Sequence, residues 1–178
     1  MKRKTTVRKI LFVLLSILWM GIIFFYSAQP GTVSQETSYW AGTTFGRIFV
    51  PGYDDWSPAR QLEFAKKIDY PVRKTAHFTE YAILGFFLVG ALYKNKIPGQ
   101  KKGYRNSIAY SWLVATAYAI SDETHQVFVP GRDGNIKDVL LDSAGGFTGI
   151  LIMYFIIYTA SKGKEQAYGQ DSMHRKST

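Results

Sequence analysis

Long uncharged or nearly uncharged apolar runs are the feature that most restricts what this chain can fold into. A helix that crosses a lipid bilayer needs about 20 mostly apolar residues. The first, second and fourth apolar blocks of the chain meet this requirement outright. The third block is shorter and meets it only if its helix continues through residues 122–129. The sequence therefore predicts an all-α, polytopic membrane protein. The four expected transmembrane helices cover about residues 10–27, 75–93, 107–128 and 138–160.

Composition narrows the class further. The chain has 178 residues, which fits one domain over 1–178, and it has no cysteine, which excludes disulfides and thiolate metal sites. The net charge of +9 would suggest nucleic acid binding in a soluble protein. Here the Lys and Arg residues lie at the ends of apolar runs, so we expect membrane lipids and no nucleic acid as partners. We expect the first block to be an uncleaved helix, because residues 27–31 are a poor cleavage site for a signal peptide.

The distribution of basic residues predicts the topology. Five basic residues precede the first block, and five basic residues with no acid fill the loop at 94–107. By the positive-inside rule, both termini and this loop are expected to lie in the cytoplasm, and loop 121–138 faces outside.

The long loop before the second block has structure of its own. Ser57 and Pro58 are typical of the N-cap and first residue of a helix. Aromatic residues such as Trp40 and Tyr53 are typical of a membrane interface. We therefore expect residues 32–69 to form two short interfacial stretches that lie on the outer surface and cover the bundle. Residues 161–178 are expected to be a polar cytoplasmic tail.

With this topology, the ionisable residues near the apolar blocks meet at the outer leaflet. They come from the start of the second helix, the end of the third helix and the start of the fourth helix. Charge at membrane depth is costly, so such a group predicts a functional site. The expected catalytic residues are His77, Glu80, Asp122, Glu123, His125 and Asp142. The expected binding residues are Lys74, Gln126, Arg132 and Asp138.

The spacing within the last helix indicates where its carboxylates point. Asp138, Asp142, Gly145 and Gly149 follow one helix face. Because glycine allows a neighbouring helix to come close, this face is expected to pack inside the bundle. Before it, residues 130–134 predict a turn with a glycine at positive φ, and Asn135 is a plausible N-cap.

The chemistry of the cluster stays open at this point. A divalent metal ion is possible, with candidate ligands His77, Glu80, Asp122, His125 and Asp142. No compact ligand motif of the HExxH kind is present. The same residues could act in acid–base catalysis, or they could form interhelical ion pairs that only stabilise the bundle.

Three segments together resemble the VanZ-like family of small bacterial membrane proteins. They are Arg-Lys74-x-x-His77-Phe-x-Glu80-Tyr-x-x-Leu-Gly85, Ser-Asp122-Glu123-x-His125-Gln126-x-Phe-x-Pro130-Gly-Arg132 and Asp138-Val-x-x-Asp142-x-x-Gly145. Phe25-Tyr-Ser27-x-Gln29 also fits, and the resemblance covers roughly residues 10–160. The resemblance implies a bacterial cell-envelope protein linked to glycopeptide resistance, and to low-level teicoplanin resistance in particular.

We therefore expect an extracytoplasmic polar site that acts on a lipid-linked or cell-wall substrate. In that case His77 or His125 would be the general base or a metal ligand, and Lys74 and Arg132 would hold an anionic headgroup. The alternatives are a non-enzymatic module that binds a lipid intermediate or a lipoglycopeptide, and a purely structural charge network.

Overall fold

The computed structural model describes residues 2–93 and 101–174, and most of the chain in these two ranges is helical. Five α-helices are present there, joined by short connections and one 3-10 turn, and neither range contains a strand. The helices are α1 (Lys2–Ser27), α2 (Gly31–Phe49), α3 (Pro58–Leu92), α4 (Lys101–Gln126) and α5 (Ile136–His174). The all-α prediction is confirmed.

Three segments of the described chain are long and apolar enough to cross a membrane. They are Thr6–Ser27, Pro58–Leu92 and Ile136–Lys162. Helix α4 has 26 residues but is not among these segments, because polar and charged residues occupy both of its ends. The structure thus confirms membrane-type helices, whereas the expected count of four is not confirmed.

Helix α3 differs from the expectation of short interfacial helices. It runs unbroken for 35 residues through Pro71, so the helix that begins at Ser57-Pro58 continues into the second apolar block. At about 1.5 Å per residue it is about 52 Å long, which exceeds the roughly 30 Å of a bilayer core. Its first turns pair with α2 in an antiparallel helical hairpin: Gly42 lies against Ala65, and the Ser38 hydroxyl donates to Asp69.

The turn of this hairpin is built around a buried tyrosine. Tyr53 is almost fully buried and contacts the rings of Trp56 and Phe64, so it is not the interfacial residue that the sequence suggested. Gly52 has a φ of 71°, which favours glycine, and starts the 3-10 turn. The predicted N-cap is confirmed, because the Ser57 hydroxyl accepts from the backbone N–H of Arg60.

The closest helix packing joins α3 and α5 through glycine. A Cβ on Gly145 or Gly149 would collide with the backbone carbonyl of Phe78 or Ala82, respectively. Gly85 on α3 approaches the α5 backbone in the same way. The predicted glycine face therefore does pack inside the bundle, and it carries Asp142 with it.

The bundle has two chemically different ends. At one end the Arg8 guanidinium donates to the carbonyl of Tyr93, and Ser107 donates to the carbonyl of Leu92. The basic start of α1 and the start of α4 therefore lie together with the C-terminus of α3. The ionisable residues His77 and Asp142 lie at the opposite end.

Candidate functional site

The connection between α4 and α5 fixes one side of the polar end. Gly131 has a φ of 72°, as predicted for the turn, and the backbone N–H of Gly31 donates to the carbonyl of Pro130 at 3.0 Å. A side chain at Gly31 would strike the backbone of Gly131. The start of α2 is thus held directly against this connection.

Arg132 ties the same connection to α1. Its Nε donates to the carbonyl of Gln29 at 3.1 Å, and its Nη2 donates to the carbonyl of Tyr26 at 2.9 Å. Carbonyls at a helix C-terminus lack intrahelical partners and carry partial negative charge, so a buried guanidinium is a good cap for them. Burial, with the nearby Arg73, lowers the pKa of Arg132, although a guanidinium titrates so high that it stays charged.

A cavity of about 360 Å³ lies beside Arg132. The ends of α1 and α4, the first half of α2 and the middle of α3 line it, and it is open on one side. Its ionisable lining residues are Arg73, His77, Glu80, Asp122 and Arg132, and its uncharged polar ones are Tyr26, Ser27, Gln29, Ser34, Thr37 and Ser38. The volume is in the range of small-molecule sites, of about 300–1,000 Å³.

The ionisable residues divide into paired and unpaired groups. Lys74 forms a salt bridge with Asp138, both partly buried. His77 Nδ1 lies 4.0 Å from Asp142 Oδ2, which is too long for a hydrogen bond. Asp142 is 0% exposed, and neither of its oxygens has a hydrogen-bond partner among the residues that the structure describes. Lys74 and Asp138 thus satisfy each other, while Asp142 does not have a comparable counterpart.

Glu123 is buried and well held. Its Oε2 accepts from the backbone N–H of Asn135 at 2.9 Å, and its Oε1 accepts from Gln126 Nε2 at 3.1 Å. The Asn135 side chain accepts from the backbone N–H of Lys137, which confirms the predicted cap of α5. Glu123 therefore orients the start of α5 as well as lying near His77.

Asp122 faces α1 and α3 next to two buried hydroxyls. Gln126 Nε2 donates to its Oδ2 at 3.3 Å. The hydroxyls of Tyr81 and Ser27 are buried beside Asp122, within reach of its carboxylate as hydrogen-bond donors, although neither meets strict hydrogen-bond geometry. These contacts join the polar ends of α1, α3 and α4 at one edge of the cavity.

His125 lies apart from the cavity lining. Its ring stacks on Phe24 with centroids 4.7 Å apart, at the junction of α4 with α1.

Of the ten residues predicted for the site, the structure brings His77, Glu80, Asp122 and Arg132 to the cavity. Glu123 and Asp142 lie beside His77, with Gln126 bonded to Glu123, and Lys74 with Asp138 forms the adjoining salt bridge.

Sequence reasoning did not include the contribution of α2. Ser34, Thr37 and Ser38 form a polar wall of the cavity, although the sequence suggested only a surface cover. Their i, i+3, i+4 spacing on one helix face was the available signal. Tyr81 is the other omission, since it is fully buried between the acidic residues of α4 and α5.

The arrangement joins proton-exchanging groups to anion-binding groups. Imidazole and carboxyl groups can act as general acids and bases, and two guanidinium groups can bind phosphate or carboxylate.

The comparisons with curated proteins and with solved structures gave no match. The family model described as VanZ/LLP1 matches residues 12–158, which is most of the chain and includes every residue of the site. The chain therefore belongs to the VanZ/LLP1 family.

Proposed function

We propose that this protein acts on the polar headgroup of a lipid-linked or cell-wall molecule, which enters the cavity between α1, α2 and α3. The observation that carries the proposal is the position of this cavity. It has a headgroup-sized volume, ionisable walls and membrane-type helices on its sides. A molecule with an apolar chain and a polar head could therefore reach it from the bilayer.

Arg73 and Arg132 are the proposed contacts for an anionic headgroup. Both line the cavity. A guanidinium carries five N–H donors, and two bonds from Arg132 to carbonyls of α1 leave donors for a phosphate. Lys74, which the sequence suggested for this role, is held by Asp138 instead.

Glu80 and Asp122 are the proposed acid–base groups, with His77 next to them. All three line the cavity, from α3 and α4. A base must come within hydrogen-bond distance of the proton that it removes, and groups on a cavity wall can do so once a headgroup is bound. We infer a proton-transfer step at the headgroup.

For the topology, we propose that α4 is a fourth span, that both termini are cytoplasmic and that the cavity opens outside the bacterial cell membrane. The support is the separation of charge along the bundle. The basic start of α1, with Arg8, lies at the end where α3 finishes and α4 begins, and the cavity lies at the other end. In keeping with the family resemblance, we propose that expression of the chain lowers susceptibility to teicoplanin.

The test is an assay of the full chain, purified in detergent, with extracted envelope lipids. We expect mass spectrometry to show a changed headgroup with the wild type. Glu80→Gln and Asp122→Asn should remove the product, and Glu63→Gln, which changes an exposed acid elsewhere on α3, should not. Stoichiometric lipid binding without product would favour the non-enzymatic module. No binding and no product, with all three variants equal to wild type in a teicoplanin susceptibility assay, would refute the proposal.

One observation favours a structural role for part of the cluster. Lys74 with Asp138 joins α3 to α5, and Arg132 joins the connection between α4 and α5 to the end of α1. We propose that these contacts hold the cavity walls in place, and that the residues without partners carry the chemistry.

A further inference from the structure

Asp142 presents a problem of charge. Its side chain is fully buried on α5, and both oxygens lack a hydrogen-bond partner in the described part of the chain. An ionised carboxylate in that state is strongly destabilising unless a cation balances it. Lys74, a cation at the same end of the bundle, already has Asp138 as its counterion.

His77 is in a similar state on α3. Its Nδ1 is buried and has no hydrogen-bond partner within the described ranges, although it lies 4.0 Å from Asp142 Oδ2. Glu123 approaches the same point from α4. One ligand atom from each of His77, Glu123 and Asp142 lies within 4.8 Å of the other two.

We propose that His77, Glu123 and Asp142 bind a divalent transition-metal ion, Zn²⁺ or Mn²⁺, which links α3, α4 and α5. One imidazole nitrogen with two carboxylate oxygens is a donor set that suits these ions. Around a tetrahedral Zn²⁺, with bonds of about 2.1 Å, ligand atoms lie about 3.4 Å apart. The three ligand atoms therefore need to move closer to one another by up to about 1.4 Å, a distance that side-chain rotations can cover.

The surroundings of the three ligands fit this role. Ligating carboxylates are usually oriented by further hydrogen bonds, and Glu123 accepts one from Asn135 and one from Gln126. Because His77 also lines the cavity, a bound ion could be reached by an oxygen of a headgroup or by water. The ligand set differs from the one suggested by sequence, since Glu123 takes the place of Glu80, Asp122 and His125.

The test is elemental analysis of the full chain, purified without chelator or nickel resin and without added lipid. We expect about one Zn or Mn ion per chain. Asp142→Asn and His77→Gln should lower the affinity at least about tenfold. Glu63→Gln is the matched control, because it removes an exposed acid from the same helix as His77 and should leave the ion bound.

A second measurement uses only the wild type, so it does not depend on whether the variants fold. Removing the ion with EDTA should lower the melting temperature, and added Zn²⁺ or Mn²⁺ should restore it, because a ligand of the folded state stabilises that state. Metal-free protein whose melting temperature neither ion raises would overturn the proposal, and would indicate a protonated Asp142 instead. Equal metal content in wild type and Asp142→Asn would overturn it as well.

The test of the metal site and the test of the proposed function can fail independently of each other. Glu80 lines the cavity but is not one of the three ligands. Glu80→Gln should therefore keep the metal while it loses product. A metal-bound protein without lipid turnover would contradict the proposed function alone, and lipid turnover by a metal-free protein would contradict the metal site alone.

Discussion

Replacing Gly149 with alanine tests whether the close contact between α3 and α5 shapes the polar end. A Cβ at this position would overlap the backbone carbonyl of Ala82, and backbone cannot rotate away as a flexible side chain can. Extra atoms in a packed interior cost about 1–3 kcal/mol. Alanine regains up to about 1 kcal/mol through its higher helix propensity. The steric repulsion exceeds the gain in helix propensity, so we expect a net loss of about 1–2 kcal/mol in the free energy of unfolding.

The matched control is Gly21→Ala on α1, where an added Cβ would have no atom within 4 Å. We expect it to leave stability unchanged or slightly raised. For a chain of this size 1 kcal/mol corresponds to about 2–4 °C, so thermal unfolding in detergent should show Gly149→Ala about 2–8 °C below Gly21→Ala. Equal melting temperatures for the two variants would refute the packing argument, since both differ from wild type by the same methyl group.

Two further predictions concern the contacts that hold the cavity walls. Arg132→Ala should lose about 2 kcal/mol in the free energy of unfolding, because hydrogen bonds from a charged donor contribute about 1.5–3 kcal/mol each and water partly replaces them here. Chemical denaturation measures this loss. The control is Arg47→Ala, which breaks an exposed ion pair and should stay within about 0.5 kcal/mol of wild type. In a double-mutant cycle, Lys74→Met and Asp138→Asn should show a coupling energy of about 1–3 kcal/mol, because each partner is mostly buried. If the two losses in unfolding free energy simply add, the salt bridge is contradicted.

The polar end owes its form to contacts between segments that are distant in sequence. The Pro130–Arg132 connection touches the end of α1 and the start of α2, so it positions the two helices that border the cavity with α3. The buried Glu123 then fixes the start of α5, on which Asp142 lies. Changes at this connection should therefore affect the cavity even where no ligand touches them.

Local patterns were enough to predict several of these features. Apolar blocks predicted α1, the second half of α3 and the start of α5, because periodicity and length reflect burial in lipid or protein. Capping chemistry predicted the helix starts after Ser57 and Asn135, since a side-chain oxygen acts within a few residues of its own position. The glycine face on α5 predicted close helix contact for the same local reason.

Other features depend on tertiary contacts and could not be predicted in this way. Pro71 lacks a backbone N–H and usually ends a helix, but α2 packs along this part of α3 and supports it through Ser38 and Gly42. The partner of Lys74 also depends on how α3 and α5 are aligned, and the sequence suggested an anionic headgroup where the structure has Asp138. The polar wall from α2 required knowledge that residues 31–49 form one helix beside the cavity.

The most direct test of the central claim is native mass spectrometry of the protein purified from bacterial membranes in mild detergent. The comparison is between wild type and Ala41→Phe, which adds an apolar ring to the cavity wall and changes no charged residue. If the cavity holds a lipid headgroup, the wild type should retain an anionic lipid, and Ala41→Phe should retain it at least about tenfold less, because the ring occupies space the headgroup needs. Equal lipid retention by the two proteins would contradict the account.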